Sequence, residues 1–214
     1  IQSGMAFEDQ MATVGAVQFA GMDRSSTEVQ ASFKALSDAA KQAGLDTRYS
    51  ATEAGQALEL MARAGFNTQQ SIAALPGVLA AAAAEGMDLA SASSIVSNVL
   101  RGFNLATEDS TRVADVLAAT SAKTNSSIES LGQSFKFAGP VASQLGLKLE
   151  DVAAALGLAA NAGIQGTVSG RNLASGFANL VKPTAAATAV MNELGMSFTK
   201  IGANGQKEFK QLPE

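Results

Sequence analysis

The chain has 214 residues, with no histidine and no cysteine. Acid–base chemistry would therefore fall to carboxylates, and Glu150-Asp151 is the obvious pair. Histidine acid–base catalysis, Ser-His-Asp triads, cysteine nucleophiles, disulfides and structural zinc are excluded by composition. Adjacent residues on a helix do not face each other, and acids in a first turn are ordinary partners of the helix dipole. The structural reading of the pair outweighs the catalytic one. Ala162-Gly163-Ile164-Gln165-Gly166, running on to Gly170, has the glycine density of a phosphate loop. It lacks the Gly-Lys-Ser/Thr ending and a preceding strand, so the signal is weak. Arg63, Arg101, Arg112 and Arg171 are scattered among helices and read as solvated or salt-bridged groups. Tyr49, the single tyrosine, reads as packing over a helix entrance rather than as a recognition aromatic. The sequence thus offers no catalytic, cofactor-binding or metal-binding residue, and no cofactor is expected.

Composition points the same way. Hydrophobic residues make up 47% of the chain but aromatics only 5%, so alanine carries much of the apolar content. Small side chains let helices approach closely and build no deep aromatic pocket for a small molecule. The net charge of −4, with 16% charged residues, matches a polyphosphate poorly, so tight nucleic-acid binding is not expected. The longest weakly polar run, Ile72 to Ala84, is interrupted by Pro76-Gly77 and is too short to span a bilayer. Starting at Ile1 and ending in Leu212-Pro213-Glu214, the chain reads as a piece of a longer protein.

A recurring helix stop positions everything else. Gly44-Leu45-Asp46, Gly65-Phe66-Asn67, Gly86-Met87-Asp88, Gly102-Phe103-Asn104, Gly146-Leu147-Lys148, Gly163-Ile164-Gln165 and Gly195-Met196-Ser197 share one pattern. In each, a glycine free to enter the left-handed region precedes a residue, apolar in every case, that can fold back on the last turn. Capping boxes open two of the helices: Ser50-Ala51-Thr52-Glu53 and Ser126-Ser127-Ile128-Glu129 pair a serine with a glutamate three residues on. The structural residues expected from this pattern are the stops Gly44, Gly65, Gly86, Gly102, Gly146, Gly163 and Gly195, with the caps Ser50, Glu53, Ser126 and Glu129. Pro76 predicts a kink or break at Leu75, and Gly139-Pro140 predicts a helix end.

The fold class that follows is all-α: a compact array of about nine to ten short antiparallel helices joined by Gly-capped turns. Ser197-Phe198-Thr199-Lys200-Ile201 alternates, and Asn204-Gly205 is a hairpin-turn dipeptide. A small C-terminal β-hairpin is therefore expected. The domain expectation is a helical core domain over 1–195 and a hairpin tail over 196–214, continuing into further chain. Within the helical part, positions 57–65 and 155–163 are identical at six of nine residues. A duplicated helical unit and convergence on one packing solution both explain that echo.

Several ordered blocks resemble the core region of the phage tail tape measure protein family. They run from Ser50-Ala51-Thr52-Glu53-Ala54 through Ala64-Gly65-Phe66 to Ala74-Leu75-Pro76-Gly77-Val78-Leu79. Further along come Arg112-Val113-Ala114-Asp115-Val116-Leu117, Gly139-Pro140-Val141-Ala142, Leu145-Gly146-Leu147 and Ala162-Gly163-Ile164-Gln165-Gly166. The resemblance covers nearly the whole chain; Gly170-Arg171-Asn172-Leu173 departs from the small residues common there. It implies a mostly helical, non-enzymatic virion protein of the tail lumen, made in the host bacterial cytoplasm. That protein sets tail length in assembly and leaves through the tail tip at DNA ejection. Its implied partners are tail tube and tail tip or baseplate proteins, tail assembly chaperones and further copies of itself, with host membrane contact after ejection. Two other readings stay open on the residues alone: a helical-repeat protein-binding module, and a membrane-active domain forming a channel for DNA entry.

Overall fold

A computed structural model describes residues 2–195, together with the backbone of 199–201 and 207–209. Ten α-helices follow one another among the described residues: α1 (Gln2–Gln18), α2 (Thr27–Asp46), α3 (Ala51–Arg63), α4 (Thr68–Glu85), α5 (Leu89–Gly102), α6 (Ser110–Lys123), α7 (Ile128–Gln144), α8 (Leu149–Asn161), α9 (Gly166–Val181) and α10 (Ala185–Glu193). A 3-10 turn, Thr107–Asp109, leads into α6. Helical structure throughout residues 2–195 is the fold class that the 3.6-residue apolar spacing predicts. The expected hairpin falls largely outside the described residues. Only the short segments Thr199–Ile201 and Lys207–Phe209, in antiparallel register, are described there, and the turn between them is not.

The chain divides into two compact units, residues 1–101 with 105–118, and residues 102–104 with 119–214. In the first unit α3 is central, with α1 and α2 against it and α4 beyond. Its core is built from Met11, Val14, Leu36, Leu58, Met61 and Val78, all at most 2% exposed. In the second unit α7 lies along α9, with α8 packed on both. Ile128, Leu131, Phe135, Leu149 and Leu156 fill its core. Phe135 meets Phe103 edge to face, with ring centroids 5.7 Å apart.

Small residues set the closest helix crossings. Gly77 of α4 lies against the backbone of Ser110, whose hydroxyl donates to the Ala73 carbonyl at 3.2 Å. In the second unit Gly170 of α9 lies against Ser134 of α7, whose hydroxyl donates to the Gly166 carbonyl at 2.8 Å. The two crossings use one device. A glycine removes the Cβ that would hold the helices apart, and a serine satisfies itself on the carbonyl four residues before that glycine.

Both prolines expected to interrupt helices are accommodated. α4 runs through Pro76 and α7 through Pro140, so the expected break at Leu75 and the expected end at Gly139-Pro140 are corrected. Each proline ring is exposed. The carbonyl that loses its helical donor therefore lies on the outward side of the helix, where water can replace it.

Candidate functional site

The residues with chemical potential are dispersed. Glu150 and Asp151 are exposed in the first turn of α8, where adjacent side chains diverge. The glycine-rich stretch is the α8–α9 junction, bound up by the chain's own groups. Gln165 donates its side-chain amide to the Asn125 carbonyl, and Ser134 occupies the approach to Gly170. Arg63, Arg101, Arg112 and Arg171 each have an intrachain partner. Arg63 reaches Glu59 with Nε at 2.9 Å and Nη2 at 2.7 Å. Arg112 lies 3.5 Å from Asp109, while Arg101 and Arg171 stack over the rings of Phe66 and Phe137. Glu59 also accepts from the Gln10 amide at 2.8 Å. That bond, followed by Arg63, holds its carboxyl below the usual range against the opposing effect of burial. Among the described residues no group of acidic side chains is placed to hold a metal ion. No described helix is long and apolar enough to cross a membrane.

The structural stops are where the sequence pattern meets geometry. Gly65, Gly86, Gly146 and Gly163 have φ of +85°, +71°, +71° and +83°. After each, the amide of the next residue reaches back five positions to a helix carbonyl: Phe66 to Met61, Met87 to Ala82, Leu147 to Ala142 and Ile164 to Ala159, at 2.9–3.0 Å. This is the Schellman closure. Gly195 has φ +62° and closes on Asn192; residue 196 lies outside the described residues.

Gly44 and Gly102 are corrected. Gly44 lies inside α2, which continues to Asp46 and ends at an extended Thr47. Its glycine answers a different need, because a Cβ there would sit 2.7 Å from the Ala51 backbone nitrogen. Gly102 is the last residue of α5, and the left-handed position is Asn104, with φ +53°. The closure there runs from the Leu105 amide to Leu100, at 2.8 Å. Asparagine tolerates that region better than most residues with a Cβ, so the stop is two residues later than the glycine.

The caps divide the same way. Ser50 and Glu53 form a complete capping box: the Glu53 amide donates to Ser50 Oγ at 3.2 Å, and the Ser50 amide to Glu53 Oε2 at 2.8 Å. Asn67 and Gln70 form another at α4, both bonds at 2.9 Å. Ser126 and Glu129 do not, and this is a correction. Ser127 is the N-cap, accepting from the Ser130 amide at 3.1 Å, which puts Glu129 one position too early for the reciprocal bond. Two neighbouring serines offer the same acceptor. The Asn125 amide and carbonyl, in the turn before it, are held by Asn161 and Gln165, and Ser127 itself is extended.

Hydrogen bonds from the Ser50 amide and hydroxyl hold the Glu53 carboxyl below its usual pKa. A depressed carboxylate contributes stability above its unfolded-state pKa and loses it as pH falls through the folded value. Ser50→Ala is expected to cost about 1 kcal/mol at neutral pH. It should also flatten the fall in stability as the carboxylates protonate. Urea denaturation of both proteins at neutral and acidic pH reads both effects; equal midpoints at neutral pH would contradict the cap's contribution.

Two structural roles were hidden in the sequence. Arg48 donates to the Ala82 carbonyl at 3.3 Å and to the Tyr49 hydroxyl at 2.8 Å, and that hydroxyl lies 3.2 Å from the Met87 carbonyl, placing a cation on the C-terminus of α4. Tyr49 is buried at 8% exposure and ties the α2–α3 connection to the turn after α4. Arg101 sits at the α3 stop beside Gly65 and over Phe66. A basic residue far in sequence from the helix end it covers leaves no local signal. Between α2 and α4, above Tyr49, an open groove of about 630 Å³ is lined by apolar groups including Ala39, Ile72, Leu75 and Leu79.

Comparison with known proteins fits this scaffold of stopped helices. Residues 37–214 match the family model described as phage-related minor tail protein. A tape measure protein of Pneumococcus phage Dp-1 is 40% identical over 161 residues, 75% of this chain and 14% of that protein. A probable tape measure protein of Escherichia phage P2 is 28% identical over 184 residues, 86% of this chain and 23% of that protein. The chain thus spans less than a quarter of the length of these relatives. No solved structure matches. With most of its length covered by one family model, and with the ordered helix stops that the resemblance rests on, the chain belongs to the family of phage-related minor tail proteins, a tail structural family whose relatives include tape measure proteins.

Proposed function

We propose that this chain is a folded helical segment of a tail tape measure protein, distinct from the part that measures length. In this reading the whole protein lies in the tail lumen, sets tail length during assembly and leaves through the tail tip at DNA ejection. It contacts the tail tube, the tip or baseplate, assembly chaperones and further copies of itself. It is made in the host cytoplasm and meets the host membrane after ejection. It carries no enzymatic activity and does not bind nucleic acid tightly.

The observation that carries this reading is the brevity of the helices. The longest, α2, has 20 residues and α10 has 9, so no described helix extends beyond roughly 30 Å at 1.5 Å per residue. A ruler needs one continuous extended element, and left-handed stops interrupt this chain every few turns. Residues 1–195 are proposed as one functional domain, and 196–214 as a hairpin tail attached to it. The net charge of −4 suits a lumen through which DNA passes without adhering.

In-frame deletion of residues 89–102 from the phage gene tests the proposal. It is expected to impair assembly or DNA delivery, because α5 contributes eight buried residues to the fold. Viable phage whose tails are shorter by about 1.5 Å per deleted residue, seen by electron microscopy, would show that the segment is extended in the tail and overturn the reading.

A further inference from the structure

The echo between positions 57–65 and 155–163 extends well past nine residues. α3 and α8 each have 13 residues, and a displacement of 98 positions carries Ala51–Arg63 onto Leu149–Asn161. The same displacement carries the stop Gly65 onto Gly163, with φ of +85° and +83°, and the start of α4 at Thr68 onto the start of α9 at Gly166. It then carries the buried Leu89, Ala92, Ser93 and Val96 of α5 onto Ala187, Val190, Met191 and Leu194. Those four form an apolar stripe on α10 and its last turn, at i, i+3, i+4 and i+7.

In the first unit α5 seats on α3. The Ser93 hydroxyl donates to the Ala57 carbonyl at 3.1 Å in a buried contact, and Arg101 lies over Phe66, which is 6% exposed. Among the described residues, the equivalent seat in the second unit is uncovered. Ile164, the counterpart of Phe66, is 41% exposed, and Leu158 on α8 is 70% exposed. The candidate occupant is uncovered too, since α10 buries no residue and leaves Val190 at 53% and Leu194 at 64%. Among the described residues, two uncovered apolar surfaces thus lie in one unit. The joint between α9 and α10, residues 182–184, is as long as residues 86–88 between α4 and α5, and comes two positions earlier in the displaced numbering because α9 has 16 residues and α4 has 18.

We propose that α10 is a strap that closes on the outer face of α8, as α5 closes on α3, turning at Lys182-Pro183-Thr184. Removing these facing side chains from water together drives the closure. The open arrangement leaves the α8 face available, and the closed one completes the second unit with its own chain. This inference concerns the folding of the unit and holds whatever the protein's role in the tail.

The absence of cysteine makes the test clean. Ala155 and Met191 are the counterparts of Ala57 and Ser93, so Ala155→Cys with Met191→Cys should form an intramolecular disulfide on mild oxidation, within the 4.4–6.8 Å Cα separation such a bond needs. Ala155→Cys with Asn192→Cys, one position off the stripe, should yield at least tenfold less, and so should the first pair when Leu194→Lys is added. No intramolecular bond, a bond only between chains, or equal yields from all three variants would overturn the strap. A spin label on the single variant Ala155→Cys reads the same contact without altering α10. Broadened α10 resonances are expected, and unbroadened ones would also overturn it.

Discussion

Gly170→Ala is expected to lower the thermal midpoint by about 10 °C or more. A Cβ at this position would lie 2.1 Å from the Ser134 carbonyl oxygen and 2.7 Å from its Cα. These are backbone atoms of a packed helix and cannot rotate away as a flexible side-chain end would. Relieving the overlap means separating α9 from α7 by roughly 1 Å, which stretches the Ser134–Gly166 bond and opens the crossing; overpacking costs about 1–3 kcal/mol. The Ser134 hydroxyl keeps the Ser130 carbonyl, 3.0 Å away, as a second acceptor, so losing the bond to Gly166 adds about 0.5–1.5 kcal/mol, against about 1 kcal/mol regained from alanine's better helix propensity. Gly176→Ala, six residues along the same helix, is the control. Nothing lies within 4 Å of its Cβ position, so the propensity term stands alone and this variant should be more stable by up to about 1 kcal/mol. Calorimetry of the two variants should give shifts of opposite sign. Equal shifts would show that the α7–α9 crossing is looser than its geometry. Gly77→Ala, 2.3 Å from Ser110 backbone atoms, should behave as Gly170→Ala does.

Phe135→Ala should cost about 3–5 kcal/mol, the range for deleting a buried aromatic ring. The side chain is 2% exposed and stands edge-on to Phe103 at an interplanar angle of 73°. Removing it forfeits the transfer of the ring from water and leaves a cavity that the surrounding helices can only partly close. Phe103 also touches the Gly139 Cβ position at 3.3 Å, so it has little room to move into the space. Phe135→Leu keeps most of the volume and should cost no more than about half as much. Urea denaturation followed by circular dichroism measures both. A loss below about 1 kcal/mol for Phe135→Ala would show that the ring does not anchor the second unit.

How much of this was legible in the sequence follows from the range of the forces involved. Left-handed stops at Gly65, Gly86, Gly146 and Gly163, and the Ser50–Glu53 box, are readable because cause and effect lie within six residues. A glycine lacks the Cβ clash, and the next amide closes on the turn just made. The helical class is readable for the same reason, since apolar spacing is a local record of which face is buried. Gly44 and Gly102 carry the same three-letter signature, yet one is glycine because Ala51 approaches it and the other yields the left-handed position to Asn104. Nothing local distinguishes a glycine needed for its backbone angle from one needed for its missing side chain. The prolines show the limit from the other side: whether Pro76 or Pro140 breaks a helix depends on whether the freed carbonyl faces water or the core, and that is decided by packing. Ser110 and Ser134 on Gly77 and Gly170, and Arg48 and Arg101 on distant helix ends, belong wholly to the tertiary structure. By itself the sequence determined where most helices stop, because backbone strain and capping are local. Only the tertiary structure decided which helices touch and through which small residues, because close approach is a property of two segments at once.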